Sequence, residues 1–138
     1  MSWSEIWIHA VFATKNRYPY LYRDIRVQLF NHMKEVADNH RIHAAFINGY
    51  SDHCHVLFSL DKKRTITEIM KLVKGESSFW LNKSGLINGA FRWQNDYWAS
   101  SVSPMLLPRV RNYIANQELH HSKIDFTKEL EILSFFNR

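Results

Sequence analysis

Two histidines separated by a single residue, His53 and His55, offer the first chemistry in this sequence. On an extended strand, alternation projects both imidazoles from one face, with their Cα atoms ~6.6 Å apart at ~3.3 Å per residue. Side chains at that spacing can converge on one divalent cation, leaving positions on it for water, a substrate oxygen or a further ligand. Histidine makes up 8 of the 138 residues, so the same pair also arises when two side chains merely share a solvated strand face. Tyr113 and Gln117 form a second pair, one helical turn apart and therefore on one helix face. A tyrosine hydroxyl, with an ordinary pKa of about 10, attacks poorly at neutral pH and needs a nearby cation or base. The histidine pair could supply the cation. The alternative is a surface tyrosine whose ring packs over a sheet edge.

The other reactive side chains read more plainly. Cys54 alternates with Val56 and Phe58 on the opposite strand face, which makes it a buried packing residue rather than a thiolate. His120 and His121 adjoin the Tyr113 helix, but adjacent helical residues diverge by ~100° and cannot both join one site. His9 lies near the pair if the first and third strands are neighbours, and otherwise reads as a satisfied strand histidine.

The elements that must position these groups follow from hydrophobic period and turn chemistry. Glu5 to Thr14 reads as a strand, with Ile6, Ile8, Ala10 and Phe12 on one face, broken by Lys15-Asn16-Arg17-Tyr18-Pro19. Asp24 to Asn39 reads as a helix capped by Asp24, with Val27, Phe30, Met33, Lys34 and Ala37 along one face. His43 to Tyr50 and His53 to Leu60 are strands joined by a turn around Asn48-Gly49-Tyr50-Ser51-Asp52. Thr65 or Thr67 caps the next helix, whose packing stripe is Ile66, Ile69, Met70, Val73, Ser77 and Trp80. Arg92 to Ser103 is the last strand, and Pro104 to about Ser122 a helix with Leu107, Val110 and Ile114 as its stripe. Phe126 to Phe136 closes the chain as a short helix. The first six elements give βαββαβ, an α+β, ferredoxin-like (RRM-like) antiparallel sheet with helices on one face. The other face is then free for a ligand or partner.

Length and composition fit one domain over residues 1–138, with 46% hydrophobic and 22% charged residues. No apolar run approaches the roughly 18–20 residues of a membrane-spanning helix, and the first residues lack a secretory pattern. Cys54 is the single cysteine, so no internal disulfide forms, which fits a reducing cytoplasm. The 18 Lys and Arg against 13 Asp and Glu leave a net charge of +5. Lys62 to Arg92 holds seven basic and two acidic residues and so carries that whole excess. Such a stretch reads as a phosphate-facing surface or, equally, as a solvated helix face.

Taken together, these residues resemble the single-tyrosine transposases of the insertion sequence 200/605 family. Asp52-His53-Cys54-His55-Val56-Leu57 resembles their His-hydrophobic-His (HUH) motif, with cysteine in the hydrophobic position. Arg111-Asn112-Tyr113-Ile114-Ala115-Asn116-Gln117 resembles their catalytic helix, in which a metal-binding glutamine follows the tyrosine by four residues. Thr14-Lys15-Asn16-Arg17, Lys74-Gly75-Glu76-Ser77-Ser78 and Trp93-Gln94 match in type and order, whereas Asp96-Tyr97-Trp98 stands where a Gly-Tyr pair is common.

The resemblance implies a DNA transposase that cuts and rejoins single-stranded DNA at hairpin-bearing ends through a 5′-phosphotyrosine. Tyr113 would be the nucleophile, and His53, His55 and Gln117 would hold a divalent metal, Mg²⁺ or Mn²⁺. It further implies a homodimer with the tyrosine supplied in trans, working near the nucleoid of a bacterial or archaeal cytoplasm with no membrane partner. Lys15, Arg17, Lys71 and Lys74 are then candidates for DNA-phosphate contacts, and Tyr18, Tyr20, Trp93, Tyr97 and Trp98 for base stacking. Two other readings remain: a domesticated relative that processes repeated chromosomal hairpins, and a non-catalytic module that binds single-stranded nucleic acid.

Overall fold

The computed structural model describes residues 2–121, so the terminal helix expected over 126–136 lies outside the described residues. Four strands, β1 (Trp7–Ala13), β2 (His43–Gly49), β3 (His53–Ser59) and β4 (Trp98–Val102), form one sheet in the order β2-β3-β1-β4. All three pairings are antiparallel. This is the expected α+β, ferredoxin-like arrangement. The helices α1 (Arg23–Asn39) and α2 (Ile66–Ser84) cover one face. No helix among the described residues is long and apolar enough to cross a membrane.

The period-two pattern sorts the sheet into two layers of side chains. Ile8, Ala10 and Phe12 of β1 and Cys54, Val56 and Phe58 of β3 face α1 and α2 in the main core. Val11, Ala13 and Leu57 face the other way. That second face is not left open. Two short helices, α3 (Leu107–Ala115) and α4 (Gln117–His121), follow β4, and α3 lays Val110, Tyr113 and Ile114 onto it. Burial of the Cys54 side chain pushes its thiol pKa well up, in keeping with a packing role.

Several boundaries shift for identifiable reasons. Helix α1 begins at Arg23 with Tyr22 as N-cap, and Asp24 sits in the first turn instead of capping it. Its buried stripe runs through Arg26, Leu29, Phe30, Met33, Val36 and Ala37, so Val27 turns outward. Thr65, not Thr67, caps α2 through a reciprocal capping box with Glu68. β4 starts only at Trp98 because the preceding segment is held as a loop: Lys74 donates to the carbonyls of Gln94 (2.6 Å) and Asn95 (2.9 Å). Trp93 is nevertheless fixed in the core, its indole N–H donating to Ser77 Oγ at 2.8 Å. The long helix expected from Pro104 is a 3-10 turn (Pro104–Leu106) followed by α3, a break at Asn116, and α4.

Gly49 ends β2 against β3 so closely that a Cβ there would stand 2.2 Å from the His53 carbonyl oxygen and 2.9 Å from Cys54 Cα. Only glycine permits that approach, which sets the position of His53. Gly75, inside α2, has nothing within 4 Å of a built Cβ. The two glycines therefore predict opposite signs. Gly49→Ala should destabilise by about 1–3 kcal/mol through forced strand displacement, and Gly75→Ala should stabilise by roughly 0.5–1 kcal/mol. Denaturant midpoints of the two variants check both, and a neutral Gly49→Ala would contradict the strand contact.

Candidate active site

β3 carries His53, His55 and Leu57 on the face covered by α3, and both histidines are fully buried. Opposite them on β1 stand Ala13 and Val11, with His9 two residues along on the same face. Gln117, the first residue of α4, comes in over this face and is also fully buried. Its Oε1 lies 3.1 Å from His53 Nε2. The His53 and His55 rings meet edge-on with centroids 5.1 Å apart, and the Tyr113 ring lies 6.0 Å from that of His55. The four side chains thus gather within one chain.

Hydrogen bonding fixes how each group is presented. The Asp52 carboxylate, an acceptor only, sits 2.8 Å from His53 Nδ1, so that nitrogen carries a proton, and in the neutral imidazole Nε2 then presents its lone pair. The amide nitrogen of Gln117 donates to the Tyr113 carbonyl at 3.3 Å, which turns its oxygen toward His53. His53 Nε2 and Gln117 Oε1 thus meet at 3.1 Å, a hydrogen bond when Nε2 is protonated and a pair of ligands for a cation when it is not. His55 Nδ1 lies 2.8 Å from His9 Nε2, and His9 in turn meets the Trp98 ring edge-on at 5.3 Å. With both Nδ1 atoms engaged, Nε2 is the nitrogen each histidine can offer a metal. No group of three or more His, Cys, Asp or Glu side chains suited to a metal occurs among the described residues. A third protein ligand here would have to be a group of another type, and the Gln117 oxygen stands beside His53.

The break between α3 and α4 aims Gln117 at the site, and two contacts brace it. Asn48 on β2 donates to the carbonyl of Ile114 at 2.9 Å, near the end of α3. On the other side, Glu118 pairs with Arg26 of α1 at 2.7 Å. The Arg26 guanidinium is itself nearly buried, donating to the Leu21 carbonyl at 3.1 Å and lying 5.0 Å above the Tyr50 ring. Asp52, Asn48, Arg26 and Glu118 carried no signal of their own in the sequence, apart from Asp52 standing next to His53.

The candidate DNA contacts lie to one side. Lys15 and Arg17 are exposed on the 3-10 turn after β1, where Asn16 and Arg17 both take left-handed φ angles of 58° and 54°. Arg17, Gln94, Asp96 and Trp98 line a depression of about 280 Å³ beside β1. Lys71, Lys74 and Arg92 line a second groove, about 380 Å³, between α2 and the 92–97 segment. Burial lowers the Lys74 pKa, an effect that Asp96 partly offsets, and its ammonium is occupied by loop carbonyls. Tyr97 is half-buried against this groove, and Trp93 belongs to the core. The side chains of His120 and His121 lie outside those described.

Residues 2–117 match the family described as Transposase IS200 like. The chain belongs to that family. Two solved structures share its fold. One, from Deinococcus radiodurans R1 and assigned as a transposase, has a TM-score of 0.66 at 20% identity, covering 84% of this chain and 93% of its own. The other is a REP-associated tyrosine transposase bound to a REP hairpin, with a TM-score of 0.65 at 13% identity, covering 90% and 73%. No curated protein matches the sequence. In this IS200-like transposase the matched region ends at Gln117, the residue that meets His53.

The Asn48 contact gives a local prediction. Asn48→Ala should lower stability by about 1 kcal/mol and speed amide exchange at Asn116 and Gln117 while leaving β3 protected. Unchanged exchange at those amides would mean that the α3–α4 junction is held by other contacts.

Proposed function

We propose that this IS200-like transposase cuts and rejoins single-stranded DNA at hairpin-bearing ends, with Tyr113 as nucleophile and a divalent metal held by His53, His55 and Gln117. The observation that carries this reading is the buried 3.1 Å approach of His53 Nε2 and Gln117 Oε1, two groups that can both ligate a cation. Two imidazoles and an amide oxygen, each oriented by a second partner, suit Mg²⁺ or Mn²⁺ with positions left for phosphate oxygens. Such a metal, when bound, polarises a phosphate oxygen and stabilises the charge that develops there.

The chain's own groups do the rest. The Tyr113 oxygen attacks the scissile phosphorus, forming a P–O bond as the bond to the 3′ oxygen breaks. The tyrosine gives up its proton and the departing 3′ oxygen gains one, leaving a 5′-phosphotyrosine and a free 3′-hydroxyl. Attack by another 3′-hydroxyl reverses the step, and the covalent bond keeps the phosphodiester's energy, so no nucleotide hydrolysis is needed.

Exposed Lys15, Arg17 and Lys71 are proposed to contact DNA phosphates, and Lys74 to act by holding the 94–96 loop in place. Hairpin DNA as the partner is supported by the REP hairpin bound to the structural relative. The homodimer expected from the family resemblance is retained. The approach of His53 and Gln117 within one chain supports sites completed in cis, so exchange of the tyrosine helix between subunits is not required to build them.

The test is cleavage of a labelled single-stranded oligonucleotide carrying a hairpin. Cleavage should require Mg²⁺ or Mn²⁺, fall by about 10²-fold or more in His53→Ala, His55→Ala and Gln117→Ala, and vanish in Tyr113→Phe. Hairpin affinity should survive in all four, because it rests on backbone charge. Cleavage in excess chelator would sink the metal role, and cleavage by Tyr113→Phe would sink the nucleophile.

A further inference from the structure

His9 is a buried polar side chain to which the mechanism above gives no task. It is 1% exposed, on the strand next to β3, and its Nε2 lies 2.8 Å from His55 Nδ1 with the two rings nearly parallel at 26°. We propose that His9 is a positioning residue that fixes the tautomer of His55, so that His55 offers Nε2 to the metal. The proposal rests on the metal reading above.

A neutral imidazole has one N–H and one lone pair. A nitrogen-to-nitrogen contact of 2.8 Å is a hydrogen bond, so one N–H lies between the two rings. If His55 donates from Nδ1, its Nε2 keeps the lone pair and can hold a cation. If His9 donates from Nε2, His55 must carry its proton on Nε2 and can no longer be a ligand there. For His55 to ligate through Nε2, His9 must be the acceptor, with its own proton on Nδ1. Its ring is clamped in that position between His55 and the edge of Trp98.

The arrangement parallels that of His53, whose Nδ1 is held by Asp52. Orienting partners of this kind determine which nitrogen binds a metal and how tightly. There is a difference in charge. Asp52 brings a carboxylate close to the site, whereas His9 does its orienting through an imidazole and adds no carboxylate beside an incoming phosphate.

Two readouts test the inference, one of them on metal-free protein. In ¹⁵N-histidine-labelled wild type at about pH 8.5, above the ordinary histidine pKa, long-range ¹H–¹⁵N correlations should show His55 protonated on Nδ1. His9→Gln, whose amide oxygen can still accept, should keep that tautomer and hold Mn²⁺ affinity within about threefold. His9→Phe, which keeps a ring but no acceptor, should shift His55 to the Nε2–H form that free imidazole prefers and weaken Mn²⁺ binding by about 10–100-fold. Wild-type His55 protonated on Nε2 would overturn the proposal, and so would a His9→Phe protein with unchanged tautomer and affinity. Wild type that shows the Nδ1–H tautomer but binds no Mn²⁺ would support the tautomer control while sinking the metal reading.

Discussion

His53 and Gln117 stand 64 positions apart, yet their side chains meet at 3.1 Å inside the protein. Burying polar groups without partners costs free energy, and in this chain three histidines and a glutamine are buried in one layer. Everything around them works to make that tolerable. Asp52 accepts a hydrogen bond from His53 Nδ1, the His9–His55 pair shares another, and the Tyr113 carbonyl accepts from the Gln117 amide. The contact between His53 Nε2 and Gln117 Oε1 is the point where the proposed divalent metal would sit, supplying positive charge beside a phosphate.

The fold achieves this with antiparallel pairing and a helix break. Alternation on β1 and β3 puts His9, His53 and His55 on one face and their apolar neighbours on the other. The close approach at Gly49 fixes where His53 stands. α3 and α4 then cover the histidine face, and the kink at Asn116, braced by Asn48 and by the Arg26–Glu118 pair, turns Gln117 inward. A straight helix through Tyr113 and Gln117 would keep the two residues one turn apart but would not be gripped at the same two points.

Much of this was legible from residue spacing. His53 and His55 with Cys54 reversed between them follow directly from a period of two, and the βαββαβ order follows from hydrophobic runs and turn residues. Family resemblance supplied the link from Gln117 to the histidines, because spacing alone said only that it shares a face with Tyr113. The break at Asn116 escaped notice since no glycine or proline marks it; contacts from β2 and α1 impose it. Arg26 was hidden because a charged residue does not read as part of a buried stripe unless its partner, 92 residues away, is known. The late start of β4 had a similar origin, with Lys74 holding backbone carbonyls that a strand would otherwise use.

The central claim is that Tyr113 becomes covalently joined to DNA, and peptide mapping of the adduct addresses it most directly. Wild-type protein is incubated with hairpin-bearing single-stranded DNA and Mn²⁺, denatured, digested with nuclease and trypsin, and analysed by mass spectrometry. Tyr113 is the single tyrosine in tryptic peptide 112–123. The account predicts a nucleotide mass on that peptide, localised to Tyr113 and linked through a 5′ phosphate. A nucleotide on any other tyrosine, or efficient strand cleavage with no adduct on any peptide, would contradict it.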